Sequence, residues 1–494
     1  MATSLVEGQD RLVEVEAAPV VVAERRPAGG EKAFRAYDPD QVLLMAPVLS
    51  EWIPDGDLAH FVSDLVETAL DLGPVYAAYE EERGYPPYDP RLMLKLLIYG
   101  YANGVMSSRK LEAATYRDVA VRMLCADQHP DYRSIARFRA RHLEALAGLF
   151  VQALRLCREA RLVGLGTLAL DGTKLRANAS RHKAMSYDRM VKKETQLEGE
   201  IAALREQVDA LLSDAERVDA EEDQRFGPDR RGDELPAELQ RRESRLAAIR
   251  EAKAALEAEA FERETARRAE LAAQGKQPRA PRDGGDPFAP KPTAQRNFTD
   301  PESRIMKTSD GSFQQCFNGQ AVVDSATQVI VAAELSGSSA DCPQLAGALD
   351  QLAENLEAIE SRLPEGATLL GDAGYFSEEN IEITAGHGLD PHIATGRLKH
   401  SEQIPPASRG PIRSDATPKQ RMARKLPTKK GRAIYARRKA IVEPVFGQMQ
   451  TVQNAKQLLL RGEVSARAQW RFQCAIHNLL KLHRNGGLAL LSPG

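Results

Sequence analysis

From Tyr187 to Ala273 the chain is rich in Ala, Glu, Arg and Leu, with apolar residues at helical spacing, and Gly227-Pro228 and Gly232 break it near the middle. Such a segment does not pair as a strand. It predicts a helical hairpin, partly coiled-coil-like, inserted into the domain around it. Any sheet must then be built from strands on both sides of the insertion. Before it, residues 165–171 form a short apolar run ending in Asp-Gly, a strand signal. After it, residues 274–300, rich in Pro, Gly, Lys and Arg, return the chain as a loop. Strands are predicted at 313–323 and 328–333, joined by the hairpin turn Asp324-Ser325-Ala326-Thr327, then at 367–370 and 391–395. Helices are predicted at about 342–361, after a Ser377 cap, at about 428–443 and at about 465–483. This order predicts an α/β layer, a mixed five-stranded sheet with flanking helices.

Residues 38–160 read as helical. Asp89-Pro90 is a helix start, Leu92, Leu96 and Tyr99 share a face, Asn103-Gly104 stops that helix, and Ser107 can cap the next. A third helix, about 134–160, carries Leu143, Leu146, Phe150 and Leu154 as a stripe, and Arg133, Arg137 and Arg141 recur every fourth residue near its start. That geometry resembles a helix-turn-helix, and Arg133, Arg137 and Arg141 are candidate DNA contacts. Arginines at this spacing also occur on ordinary surface helices, so both readings stand. The predicted organisation is a disordered lead (1–35), an all-helical N-terminal DNA-binding domain (36–162), an α/β domain in two pieces (163–185 and 300–485), the insertion with its return loop (186–299), and a tail (486–494).

The formal net charge of −3 hides an uneven distribution. Residues 191–270 hold 22 acidic and 15 basic residues, whereas 397–443 hold 14 Lys/Arg against 3 Asp/Glu, a net of +11. A block of that density is the electrostatic footprint of a surface for a phosphate backbone; the plainer reading is a solvated charged loop. The five cysteines (Cys125, Cys157, Cys316, Cys342, Cys474) lie far apart, which excludes a disulfide framework and a CxxC zinc site and fits a reducing compartment. No basic-then-apolar leader and no run of 18 apolar residues is present, so a cytoplasmic protein without a membrane span is expected.

Three acids stand out. Asp171 is expected to end the first strand and Asp372 the fourth, the latter before a Gly-rich turn; strand ends of a mixed sheet are where ligands gather. Two carboxylates at neighbouring strand ends repel unless a cation sits between them, and a hard cation, Mg²⁺ or Mn²⁺, suits oxygen ligands. Glu443 is the third candidate. Tyr435, Lys439 and Glu443 recur at i, i+4 and i+8 with Arg438 beside them, and Pro444 is expected to bend or end that helix. Each acid taken singly also reads as a turn residue or a surface ion pair. His477 and His483 are expected as core or surface histidines, and Asp324 as a turn residue.

At these residues the chain resembles the DDE transposases of bacterial insertion sequences, in the group related to the IS4 and IS5 families and nearest to the IS1182 family. The matching segments are 88–101, Asp171-Gly172-Thr173-Lys174, Asp300-Pro301-Glu302-Ser303-Arg304, Gly371-Asp372-Ala373-Gly374-Tyr375 and 435–447. The resemblance implies an RNase H-like catalytic domain in which Asp171, Asp372 and Glu443 are the catalytic triad and hold two divalent metal ions, Mg²⁺ or Mn²⁺. It implies DNA contacts by Tyr435, Arg438, Lys439 and Lys174. Gln450 stands seven residues after Glu443 where the pattern has Lys, with Lys456 as a possible substitute. The implied reaction is cleavage at the element's terminal inverted repeats and strand transfer to target DNA, within a synaptic homo-oligomer associated with the nucleoid. A nuclease that only hydrolyses DNA, and a non-enzymatic DNA-binding regulator, are the alternatives.

Overall fold

The computed structural model describes residues 48–79, 87–179, 184–222, 234–279, 285–308, 310–396, 410 and 412–491, with the backbone alone for 207–222 and 234–239. The predicted disordered lead, the Gly227-Pro228 and Gly232 break, residues 397–409 of the basic block and the end of the tail lie outside the described residues. From Leu49 onward the chain forms one compact unit.

The N-terminal helices are α1 (Leu58–Asp64), α2 (Gly73–Tyr76), α3 (Pro90–Ala102), α4 (Ser108–Arg117), α5 (Val119–Leu124), α6 (Tyr132–Arg141) and α7 (Leu143–Glu159). Asp89 starts α3 as predicted, its carboxylate accepting the Arg91 N–H at 2.8 Å ahead of Pro90. The single helix expected over 134–160 is two. Asp131 caps the first by accepting from the Arg133 and Ser134 amides, and His142 leaves helical geometry between them. Buried Arg139 bonds Tyr101 Oη at 3.1 Å, the Met106 carbonyl at 2.9 Å and Ser108 Oγ, tying α6 to the α3–α4 connection.

The strands are β1 (Thr167–Arg176), β2 (Ala184–Ser186), β3 (Gln295–Asn297), β4 (Arg304–Lys307), β5 (Phe313–Asp324), β6 (Ile330–Ser336), β7 (Thr368–Gly371) and β8 (Asp390–Ile393). Six of them form one sheet in the order β4-β5-β1-β7-β8, with β6 also on β5. Pairing is antiparallel among β1, β4, β5 and β6, and parallel from β1 through β7 to β8. The sheet is thus the mixed layer expected, with one strand more than the five predicted. The extra strand, β4, has four residues at the edge, too few to show a period. β1 also runs five residues past Asp171, so that acid lies within the strand and not at its end.

Between β2 and β3 stand α8 (Tyr187–Glu222) and α9 (Glu234–Ala273). They bury Met190, Leu197 and Ile201 against Leu246, Ile249 and Leu256 in a core of their own. Glu194 pairs with Arg250 at 3.0 Å and Lys253 at 2.8 Å across them. The hairpin base is closed by the β2–β3 pairing and by Glu259, which holds Arg296 and Arg304.

α10 (Gln344–Ala358) joins β6 to β7 and α11 (Glu378–Gly386) joins β7 to β8; after β8 come α12 (Pro418–Lys425), α13 (Lys429–Tyr435), α14 (Arg437–Thr451) and α15 (Glu463–Arg484). α15 packs against α7 and β6 and is buried along most of its length. Its first amides are taken by carboxylates of the 300–304 motif: Gly462 N–H donates to Asp300 at 3.3 Å and Glu463 N–H to Glu302. Negative charge there also suits the positive end of the helix dipole. Asp324 is fully buried and accepts from the amides of Gly164, Leu165 and Ala326, fixing the entry to β1.

Gln328, at the left-handed φ of +64°, is a hub. Its backbone carbonyl accepts from His477 Nε2 at 3.0 Å, its side-chain oxygen accepts from Lys481 at 2.8 Å, and its side-chain amide donates to the Ala440 carbonyl at 3.0 Å. Burial pushes His477 down to about 4, and His477 Nδ1 has no hydrogen-bond partner among the described residues. A depressed histidine contributes stability that is present above its unfolded value of about 6.5 and is lost as pH falls towards 4, about 3 kcal/mol in all. Urea unfolding at pH 7 and pH 4.5 should show this acid loss in the native chain, and His477→Gln should flatten it.

Candidate active site

β1 and β7 run parallel with Thr167 opposite Thr368, Leu168 opposite Leu369 and Ala169 opposite Leu370. Two further steps of that register bring Asp171 level with Asp372. β7 stops at Gly371, and Asp372 turns the chain into a 3-10 turn by accepting the Gly374 N–H at 2.7 Å. β1 continues against β5, and on its other side Arg176 bridges to Gln457 beyond the end of β7. The two acids thus sit where β7 leaves the sheet, at the carboxyl end of that strand.

Each carboxylate has one oxygen engaged by backbone. Asp171 Oδ1 accepts the Gly172 N–H at 2.9 Å, and its Oδ2 faces Arg438 Nη1 at 2.9 Å. Asp372 Oδ2 makes no hydrogen bond among the described residues. Burial raises the Asp171 carboxyl above its ordinary value; Arg438 and the Gly172 amide oppose this, and the Asp372 charge adds to it. Burial acts against the Arg438 charge, but Asp171, Tyr435 and Asp372 outweigh it and hold that guanidinium above its ordinary value. Burial also raises the Tyr435 hydroxyl, with Arg438 lowering it and Asp372 raising it. Asp171, Asp372, Arg438 and Tyr435 therefore share one electrostatic site.

The helix behind Arg438 departs from the 428–443 segment predicted. α13 ends at Tyr435, so Tyr435 and Glu443 belong to different helices. α14 runs through Pro444 to Thr451 without stopping. A proline leaves the carbonyl four residues earlier without its donor, here Ala440, and the Gln328 side-chain amide supplies that bond instead. Near its other end α14 is pinned where Gln450 donates to Thr173 Oγ1 at 3.0 Å, so Gln450 bridges to β1. Glu443 lies between these pins, one heptad before Gln450 and so on nearly the same side of the helix. It is exposed and makes no ion pair or hydrogen bond among the described residues.

Lys439 is exposed. Lys174 points to the opposite face of β1 and is paired with Asp341 at 3.1 Å, also donating to the Ser339 carbonyl at 3.2 Å. On exposed α6, Arg133 lies over the Tyr132 ring and Arg141 over Tyr79, with Arg141 also donating to the Ala78 carbonyl; Arg137 faces solvent. His477 is buried, the core alternative of the two expected. No motif marks Asp341, which stands in a turn; only the alternation of Asn318 and Gln320 on β5 signals a buried polar partner.

The basic block continues the same edge. Thr417 and Gln420 form a capping box on α12, and Lys425 anchors that helix to Asp390 and the Pro391 carbonyl of β8. A Cβ at Gly431 would lie 2.2 Å from the Lys425 carbonyl, so only glycine lets α13 fold back so closely. Lys419, Lys429, Lys430, Arg437 and Lys439 are exposed and make no ion pair among the described residues. Among the described residues no three His, Cys, Asp or Glu side chains gather as a metal site; Asp171 and Asp372 offer an oxygen-only pair, the donor chemistry that a hard divalent cation takes.

A family described as a transposase domain (DUF772) matches residues 47–141, and one described as a transposase DDE domain matches residues 288–479. No curated protein and no solved structure gives a significant match. No described helix is long and apolar enough to cross a membrane.

Since Arg438 is a cause that lowers the Asp171 carboxyl, Arg438→Ala should move that carboxyl's titration further upward. Carbon-13 NMR titration of the aspartate carboxyls would check this; an unchanged midpoint would contradict the pairing.

Proposed function

The chain belongs to the DDE transposases, and from that premise we propose that Asp171, Asp372 and Glu443 are its catalytic, metal-holding triad, cleaving DNA at element ends and joining the freed 3′-OH to target DNA. The observation that carries this is the β1–β7 register, which sets Asp171 and Asp372 side by side where β7 leaves the sheet while the helix bearing Glu443 reaches the same place through Arg438.

Asp171 and Asp372 would hold divalent cations, Mg²⁺ or Mn²⁺, two per site, with Glu443 completing the set. When bound, they supply Lewis-acid stabilisation of the attacking and leaving oxygens of an in-line phosphoryl transfer. Arg438 offsets the acid pair before substrate arrives and offers a guanidinium to a DNA phosphate as it does. Tyr435, held protonated, donates a hydrogen bond at the same place. Lys439 and the unpaired lysines of α12 and α13 extend a cationic path outward for the DNA end. Arg133 and Arg137 on α6, which follows the α4–α5 pair as a recognition helix would, suit contact with the terminal repeat. Arg141 belongs to that stripe but is occupied by Ala78 and Tyr79. Lys174 is a DNA contact in this reading only if it leaves Asp341. A synaptic homo-oligomer acting on the nucleoid in the cytoplasm completes the proposal.

Replacing Asp171, Asp372 or Glu443 with Ala should each reduce cleavage and joining by on the order of a thousandfold, the several kcal/mol that bound metal contributes. Pre-cleaved ends carrying a 3′-OH separate the readings. Joined products mark a transposase, hydrolysis alone a nuclease, and binding alone a regulator. In the same assay Tyr435→Ala with Arg438→Ala should weaken end cleavage with the fold intact. Charge reversal across 419–432 should make the log–log salt slope of binding shallower by about 0.9 for each phosphate no longer neutralised; an unchanged slope would show that the block does not hold DNA.

A further inference from the structure

Side chains alternate along a strand, so Asp171 and Thr173 face α14 while Gly172 and Lys174 face the other side of the sheet. On that other side Asp341, in the turn between β6 and α10, collects three donors on Oδ1: Asn318 Nδ2 at 2.8 Å, Lys174 Nζ at 3.1 Å and Gln320 Nε2 at 3.3 Å. Asn318 and Gln320 are fully buried, and the Gln320 side-chain oxygen accepts from the hydroxyl of Tyr375 in the turn that follows Asp372. Burial and the charges of Asp341, Asp171 and Asp372 push that hydroxyl well above its ordinary value, which keeps it a donor.

Two glycines show how closely this bracket fits. A Cβ at Gly172 would lie 2.7 Å from Gln320 Nε2, 3.0 Å from Asn318 Oδ1 and 3.2 Å from Asp341 Oδ1. A Cβ at Gly374 would lie 2.9 Å from Asp372 Oδ1 and 3.4 Å from Asp341 Oδ2. The backbone beside each of the two acids thus rests bare against the same third carboxylate, and Lys174 balances its charge.

We propose that Asp341 is a positioning residue that sets the spacing of Asp171 and Asp372, and through it the grip of that pair on divalent cations, without touching the cation itself. This rests on reading Asp171 and Asp372 as the metal-holding pair. Supports one layer behind metal ligands typically change metal affinity or activity 10–100-fold when removed.

Mn²⁺ titration of the full chain without DNA, followed by calorimetry, tests it. Asp341→Ala should weaken Mn²⁺ binding by about 10–100-fold with circular dichroism unchanged. Asp341→Asn, which keeps the size and the acceptor for Asn318 and Gln320, should restore most of the affinity. End cleavage by Asp341→Ala should lose kcat with KM for DNA unmoved. If Asp341→Ala does not fold, Gly172→Ala drives a methyl into the bracket from β1 and should weaken Mn²⁺ binding in the same way. Native affinity in a folded Asp341→Ala chain, with affinity lost in Asp372→Asn, overturns the role of Asp341. Native affinity in Asp372→Asn overturns the metal pair itself.

Discussion

Two like charges held side by side are the constraint around which this protein is arranged. Parallel pairing of β1 with β7 brings Asp171 level with Asp372, and that juxtaposition is unfavourable in a partly buried site unless cations answer it. One answer is within the fold: Arg438, reaching across from α14. The rest of the site follows from keeping that arginine in place, because α14 must lie against β1 although no strand pairing holds it there.

Pro444 shows how this is done. A proline inside a helix normally ends or kinks it, and here the helix continues because Gln328 bonds the carbonyl that the proline orphans. Gln328 is itself held by His477 and Lys481 of α15, so it links the helix carrying Glu443 to α15, which Phe446 also meets at Trp470. Such a bond is worth about 1 kcal/mol net. The burial of Ile441, Val442, Val445 and Met449 holds the rest of α14 in place, so Glu443 stands on a packed helix as Asp171 and Asp372 stand on the sheet.

The apolar runs that lead into Asp171 and Asp372, and the glycine turn after Asp372, are local patterns and legible in the sequence; that β1 continues past Asp171 is not, because its partner β5 lies far along the chain. Glu443 was legible as a residue but not in its setting, since the rule that proline stops a helix takes no account of a glutamine more than a hundred positions away. The division of α6 from α7 at His142 carries no local breaker, and α6 is tied down by Arg139, whose partners come from other elements. Asp341 was illegible for the same reason: its significance lies in contacts with Lys174, Asn318, Gln320 and Gly374, and no spacing in the chain encodes them. β4 escaped because four edge residues carry no period.

The pairing of β2 with β3 at the base of the insertion has a kinetic consequence. Residues 168–176 of β1 pair with 316–324 of β5, contacts of large sequence separation that are slow to form. The α8–α9 hairpin has its own core and closes on itself, so it can form before the sheet does. Once closed, it replaces the whole span 177–312 by two short connectors, which lowers the loop-closure cost of joining β1 to β5 by about 2 kcal/mol on the logarithmic law. A closed arm thus shortens the loop that the pairing of Asp171's own strand with β5 has to close.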